Sequence, residues 1–247
     1  MIIHDVSEYV TWNIPPVQFY IQDLLPKEGS LLLYGAPGVK KSWLVQGMAY
    51  TLATGDEWLG FRVEQARTLL VNFEISAVSY HWRLRDMSGA YTLPPQMLFE
   101  SSPNTLYLEI RENFNRFMED IRPIAPEVVI LDCLQGCYGS DENSTQEMSV
   151  FLGHMAELKA EFHCSLVIVH HSNKNLFVGS SMDRSRGTTK LPGWVDTVVY
   201  MVKQPSGTVQ LQFSKTRQSR RELRNMNINF HDYIWEVGGN NAVRTGE

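Results

Sequence analysis

Cysteine is scarce in this chain: three thiols, Cys133, Cys137 and Cys164, are spread over 247 residues. Their number is odd and their spacing contains no C-x-x-C, which excludes a disulfide framework and a zinc ribbon. Buried free thiols in a reducing compartment are expected instead. Long apolar runs are also missing. None approaches the roughly 18 to 20 residues that a membrane-crossing helix needs. The start, M-I-I-H-D-V-S-E-Y, has no basic stretch leading into an apolar one. A cytoplasmic protein with no membrane partner is the expectation. Basic excess is absent too, since 22 Lys and Arg against 27 Asp and Glu leave a net charge of −5. A surface coated with positive charge is therefore excluded, and any nucleic-acid contact must be local. There is no fixed repeat, low-complexity tract or long Gly/Ser linker.

What is present describes one large α/β domain. Hydrophobic residues make up 43% and charged residues 20%, enough apolar surface to offset the entropy of ordering a chain this long. The expected division is an N-terminal arm over 1–29, a core over 30–219, and C-terminal edge strands and tail over 220–247. Short apolar runs at Leu31–Tyr34, Thr68–Phe73, Val128–Leu131, Leu166–Val169 and Thr197–Val202 read as buried strands. Helical spacing lies between them at Ser42–Thr54, Val78–Met87, Ile110–Ile121 and Thr145–Phe162. Alternation of this kind predicts a mainly parallel sheet covered on both faces. Thr208–Phe213, Met226–Phe230 and Tyr233–Val237 predict antiparallel strands at the C-terminal edge.

The strongest motif is G-A-P-G-V-K-K-S, between the first strand and the first long helix. A loop in that position converges backbone N–H groups on phosphates, the helix start adds positive potential, and a lysine reaches the β and γ oxygens. Gly35, Ala36, Pro37, Gly38, Val39, Lys40, Lys41 and Ser42, with Trp43 beyond, are the expected ATP-binding residues, and the Ser42 hydroxyl is expected on Mg²⁺. Lys40 stands where the usual pattern, G-x-x-x-x-G-K-[ST], has glycine. It must accept a backbone conformation that glycine adopts freely, and its amine is expected to add charge near the phosphates.

A triphosphate there demands a magnesium-linked acid and a base for water at neighbouring strand ends. V-V-I-L-D closes an apolar strand on Asp132, the magnesium-linked candidate. L-L-V-N-F-E ends another on Glu74, the candidate base. A third strand ends in His170-His171, of which His171 is the expected sensor of the γ-phosphate. Adjacent histidines point to opposite strand faces, which argues against a two-histidine metal site.

These stretches, in order Y-G-A-P-G-V-K-K-S-W-L, A-T-G-D-E-W-L-G-F, L-L-V-N-F-E, V-V-I-L-D, V-I-V-H-H-S-N-K and S-R-G-T-T-K-L-P-G-W-V-D-T-V-V, span Leu31 to Ser219. Together they resemble the RecA-like hexameric helicase ATPases, and within them the plasmid-type RepA helicases and the AAA_25 group. The resemblance implies a RecA-like core, a hexameric ring and single-stranded DNA as partner, alongside replication or recombination proteins. It matches Glu74 to the catalytic glutamate and His171 to the histidine coupling γ-phosphate to DNA loops. It also implies that Lys215 and Arg217, in F-S-K-T-R-Q-S, reach the nucleotide of a neighbouring subunit. Lys174, Arg184, Arg186 and Lys190, in or beside the long polar stretch 173–189, are expected to track DNA phosphates. A ring-forming motor on single-stranded DNA is the leading expectation. A recombination or annealing ATPase, and a slow-hydrolysing nucleotide-dependent regulator, are the alternatives. No primase or separate DNA-binding domain is recognisable, so duplex unwinding is expected to need partners.

Overall fold

A computed structural model describes residues 3–91, 96–103, 105–141, 144–171 and 190–238. In chain order the elements are α1 (Val6–Tyr9), β1 (Phe19–Ile21), β2 (Leu25–Pro26), β3 (Ser30–Gly35), α2 (Lys41–Thr54), β4 (Thr68–Asn72), α3 (Ala77–Met87) and β5 (Leu98–Ser101). There follow α4 (Arg111–Ile121), β6 (Val128–Asp132), α5 (Leu134–Cys137), α6 (Thr145–Phe162) and β7 (Ser165–His171). The chain continues through α7 (Lys190–Trp194), β8 (Thr197–Lys203), β9 (Val209–Thr216), β10 (Met226–His231) and β11 (Ile234–Val237).

Nine strands form one sheet in the order β11-β10-β9-β8-β3-β7-β6-β4-β5, and β1 pairs with β2 separately. Strands β8, β3, β7, β6, β4 and β5 run parallel, whereas β9, β10 and β11 add antiparallel neighbours. The mixed sheet expected from the sequence is thus present. Its alternation sorts side chains into two cores: Leu31, Leu33, Val128, Ile130 and Val167 pack with α2 residues Leu44, Met48 and Leu52. Leu32, Val129, Leu131 and Ile168 pack on the other face with Phe114, Phe117, Met148, Phe151, Met155 and Leu158 from α4 and α6. The methionine and leucine stripe of α6 is core packing, and all three cysteines are buried and free.

Two features differ from expectation. The edge strand β5 carries only four residues, half of them exposed, so its sequence shows little apolar alternation. The N-terminal arm is continuously exposed over 3–18, whereas Tyr20, Ile21, Leu24 and Leu25 sink into the core beside α2 and β3. Among the described residues no helix is long and apolar enough to cross a membrane.

Candidate nucleotide-binding and hydrolysis site

Parallel register brings the polar strand ends to one edge. Gly35 of β3 lies beside His171 of β7, and Asn72 of β4 lies beside Asp132 of β6. The loop leaving β3 turns through Gly38 at φ 78° and Lys40 at φ 66° before α2 begins at Lys41. Gly35 tolerates no side chain, since a Cβ there would lie 2.6 Å from the Met201 carbonyl oxygen. Lys40 occupies left-handed space that glycine fills more cheaply, at a cost of about 1 kcal/mol. Its ammonium sits 3.9 Å from the Phe230 ring centroid, a cation–π contact that offsets much of this strain. Within the chain, Phe230 of β10 is the partner of this amine. Trp43, one residue into α2 from Ser42, packs against Phe230 and Tyr233 on one side, and the Arg83 guanidinium lies 4.3 Å over its ring.

Lys41 is buried and donates to the carbonyl oxygens of Gly35 at 2.8 Å and Ala36 at 2.9 Å. Burial lowers its pKa, while Glu74 and Asp132 oppose that shift by favouring the ammonium. The Ser42 hydroxyl lies 3.0 Å from Glu74 Oε2 and 3.3 Å from Asp132 Oδ1. Glu74 Oε1 meets His171 Nε2 at 3.3 Å. An Asx turn aims the glutamate: Asn72 Oδ1 accepts from the backbone N–H groups of Glu74 and Ile75, and Asn72 Nδ2 donates to the Ile75 carbonyl. Lys41, Ser42, Glu74, Asp132 and His171, chosen from four separate stretches of sequence, therefore share one site.

Its electrostatics divide the groups by task. Asp132 is fully buried, and desolvation raises its pKa from 3.8 to about 6, against the hydrogen bond from Ser42. Glu74 is held below its ordinary value, first by the His171 hydrogen bond and further by Ser42 and Lys41. His171 is pushed up to about 9 by hydrogen bonds to Cys133 and Glu74, so it is an imidazolium at neutral pH. Its neighbour His170 is driven down to about 4 by burial and stays neutral. A buried carboxylate and a hydroxyl oxygen 3.3 Å apart are hard donors of the kind Mg²⁺ takes, and the carboxylate's reluctance to ionise is relieved by a cation. The residues present thus fit Mg²⁺ and a nucleotide.

Asp132 yields a stability prediction. Its folded pKa of about 6 exceeds the ordinary carboxyl value of 3.8, so the folded state binds the proton more tightly and stability falls as pH rises through that window. The full shift corresponds to about 3 kcal/mol. Asp132→Asn is expected to raise the melting temperature of the metal-free protein above this window, with the advantage fading as pH drops toward 4. A difference that does not vary with pH, measured by thermal melts in chelator, would refute the assignment.

Sequence reasoning missed two groups. Cys133 follows Asp132 directly and bonds His171, but an isolated thiol carries no motif. Arg83 feels both Asp132 and Glu74 from α3, and only tertiary packing brings it there. Lys215 and Arg217 do not join the site within this chain. Lys215 Nζ donates to the carbonyl oxygens of Pro192, Gly193 and Val195, and Arg217 donates to Gly193 at 3.1 Å and lies 3.7 Å from Asp196. Both clamp the end of α7. Lys190 opens α7 and donates to Ser149 Oγ, whereas Lys174, Arg184 and Arg186 lie outside the described residues.

The AAA_25 family, described as an AAA domain, matches residues 3–176, well over half of the chain. This protein belongs to the AAA_25 family. The DNA repair protein RadA of Synechocystis sp. (strain ATCC 27184 / PCC 6803 / Kazusa) is 26% identical over 182 residues, covering 70% of this chain and 33% of that protein. The AAA_25 chain thus spans about a third of the length of the curated relative it matches. The KaiC-like protein PH0186 of Pyrococcus horikoshii OT3 superposes with a TM-score of 0.64 at 14% identity, over 90% of this chain and 100% of that one. The RadB recombinase gives 0.60 at 15% identity, over 85% and 90%. The fold is therefore that of a RecA-like P-loop ATPase. The plasmid RepA helicases, to which the motifs pointed, are a finer assignment than these relatives carry.

Proposed function

We propose that this protein is a recombination-type ATPase, in which ATP binding and hydrolysis govern its hold on single-stranded DNA. The observation that carries this reading is the joint placement of Lys41, Glu74, Asp132 and His171 at one sheet end of a RecA-like fold. The RadA likeness favours recombination or repair over a replicative helicase motor.

Bound Mg²⁺ would screen phosphate charge and fix the geometry of the triphosphate. Ser42 and Asp132 would hold it, and Lys41 would meet the β and γ oxygens. Glu74 accepts a proton from the attacking water as that oxygen bonds the γ-phosphorus and the bond to the β–γ bridging oxygen breaks. The hydrogen bond to His171 keeps Glu74 a weak base, so drawing His171 toward the γ-phosphate raises the basicity of Glu74. His171 is the last residue of β7 and directly precedes the polar stretch expected to carry DNA contacts. DNA held by that stretch thereby acts on the base through a single histidine.

A homo-oligomer is part of the proposal. Ile3, Val6, Val10, Trp12 and Ile14 are more than half exposed, an apolar arm suited to a neighbouring copy. The half-exposed side chain of Arg217 is the better candidate for reaching a neighbour's nucleotide, because Lys215 is committed to α7. ATP turnover is expected to rise at least about tenfold with single-stranded DNA, alongside an increase in oligomer mass. Strand pairing without unwinding fits the recombination reading, duplex unwinding would favour the motor, and DNA-independent turnover would overturn both.

A further inference from the structure

Cys133 is a metal-ligating group at this site that hydrolysis does not use. It follows Asp132 directly, is 4% exposed, and its Sγ lies within 4.8 Å of a His171 ring nitrogen. One ligand atom each from Glu74, Cys133 and His171 lies within 4.8 Å of the others, and the Glu74 and His171 atoms are already 3.3 Å apart. A tetrahedral Zn²⁺ with bonds of about 2.0–2.3 Å sets its ligands about 3.5 Å apart. Small side-chain movements therefore suffice, and water supplies a fourth position.

We infer that Glu74, Cys133 and His171 form an inhibitory site for a thiophilic divalent cation of the Zn²⁺ or Cd²⁺ type, separate from the Mg²⁺ position at Ser42 and Asp132. Donor chemistry discriminates between the two. A thiolate, an imidazole and one carboxylate select a borderline-soft ion, whereas the hydroxyl and carboxylate oxygens of Ser42 and Asp132 select a hard one. Binding displaces the Cys133 thiol proton and the proton on the ligating His171 nitrogen to solvent, with no change of oxidation state. Ser42, at 3.0 Å from Glu74 Oε2, helps hold the second carboxylate oxygen and so orients the glutamate ligand. The regulatory consequence rests on the hydrolysis reading above: a metal on Glu74 and His171 occupies both the base and the sensor, and turnover stops.

The test titrates Cd²⁺ into the reduced, magnesium-free protein and follows the thiolate-to-cadmium charge-transfer absorption. One equivalent is expected to saturate the band in the wild type, and Cys133→Ser is expected to remove it although Cys137 and Cys164 remain. His171→Ala should weaken affinity at least about tenfold. No band in the wild type, or a band that survives Cys133→Ser, overturns the site. In a second arm Zn²⁺ is added to turnover assays with Mg²⁺ and ATP in excess. Loss of activity restored by chelator is expected, and whatever turnover Cys133→Ser retains should be insensitive to zinc. A saturable cadmium band with undiminished turnover in zinc would leave the metal site standing and overturn the roles of Glu74 and His171. Absence of turnover in every condition would overturn the ATPase reading and leave the absorption result unaffected.

Discussion

Replacing Glu74 with glutamine is expected to leave ATP affinity nearly unchanged and to slow hydrolysis by about 10²–10⁴. The amide keeps the shape of the carboxylate and can still accept the Ser42 hydroxyl, 3.0 Å from Oε2 in the native site. What it loses is proton affinity and charge. The His171 imidazolium, raised to about 9 chiefly by Cys133 and then by Glu74, loses one of those two supports, so its pKa is expected to fall. A histidine raised in the folded state stabilises the protein below the unfolded value of 6.5, and that contribution is lost as pH rises through about 9. Glu74→Gln is therefore expected to bring that loss of stability to lower pH as well as to slow turnover. Single-turnover hydrolysis and a pH series of thermal melts measure the two effects separately. Normal hydrolysis by Glu74→Gln would show that the base is another group.

The layout of the sheet was legible because its strands are buried on both faces. Val128–Asp132 and Ser165–His171 read as apolar runs closed by polar residues, and a parallel strand that ends in a polar group must present it at the carboxyl edge. That is why Asp132, Glu74 and His171 could be chosen without coordinates. Strand β5 was not legible, because a short edge strand with exposed residues has no apolar pattern to read. Arg83 was hidden for a different reason. Helical spacing says which residues share a face, but not that α3 lies close enough to α2 for an arginine to cover Trp43. The pair Lys215 and Arg217 shows another limit of the sequence. The sequence pattern suggests a role in a neighbouring subunit and says nothing of the carbonyl groups at the end of α7 that accept from both side chains within the chain. The placement of Lys40 follows the same lesson, since its partner Phe230 lies far away in sequence.

Lys41→Met is expected to reduce ATP affinity by at least about 100-fold, close to 3 kcal/mol. The methionine retains most of the aliphatic length and so separates charge from packing. Lys41 is only 3% exposed, and a charge so poorly hydrated gains more from a phosphate than one already surrounded by water. Its two bonds, to the carbonyl oxygens of Gly35 and Ala36, also fix the shape of the loop. Removing them leaves those oxygens without this donor, at about 1 kcal/mol or more each where they stay buried. Loss of the positive charge also makes ionisation of Asp132 and Glu74 harder, because Coulombic attraction links each of them to Lys41. The metal-free variant should therefore be less stable than the wild type, increasingly so above the Asp132 pKa of about 6. Calorimetric titration with ATP and Mg²⁺, on protein shown by circular dichroism to be folded, isolates the binding loss from the loss of stability. If folded Lys41→Met binds ATP within a few-fold of the wild type, the loop from Gly35 to Ser42 does not hold the triphosphate. The magnesium role of Asp132 and the base role of Glu74 then fail with it, because each was located by its distance from Ser42 of that loop.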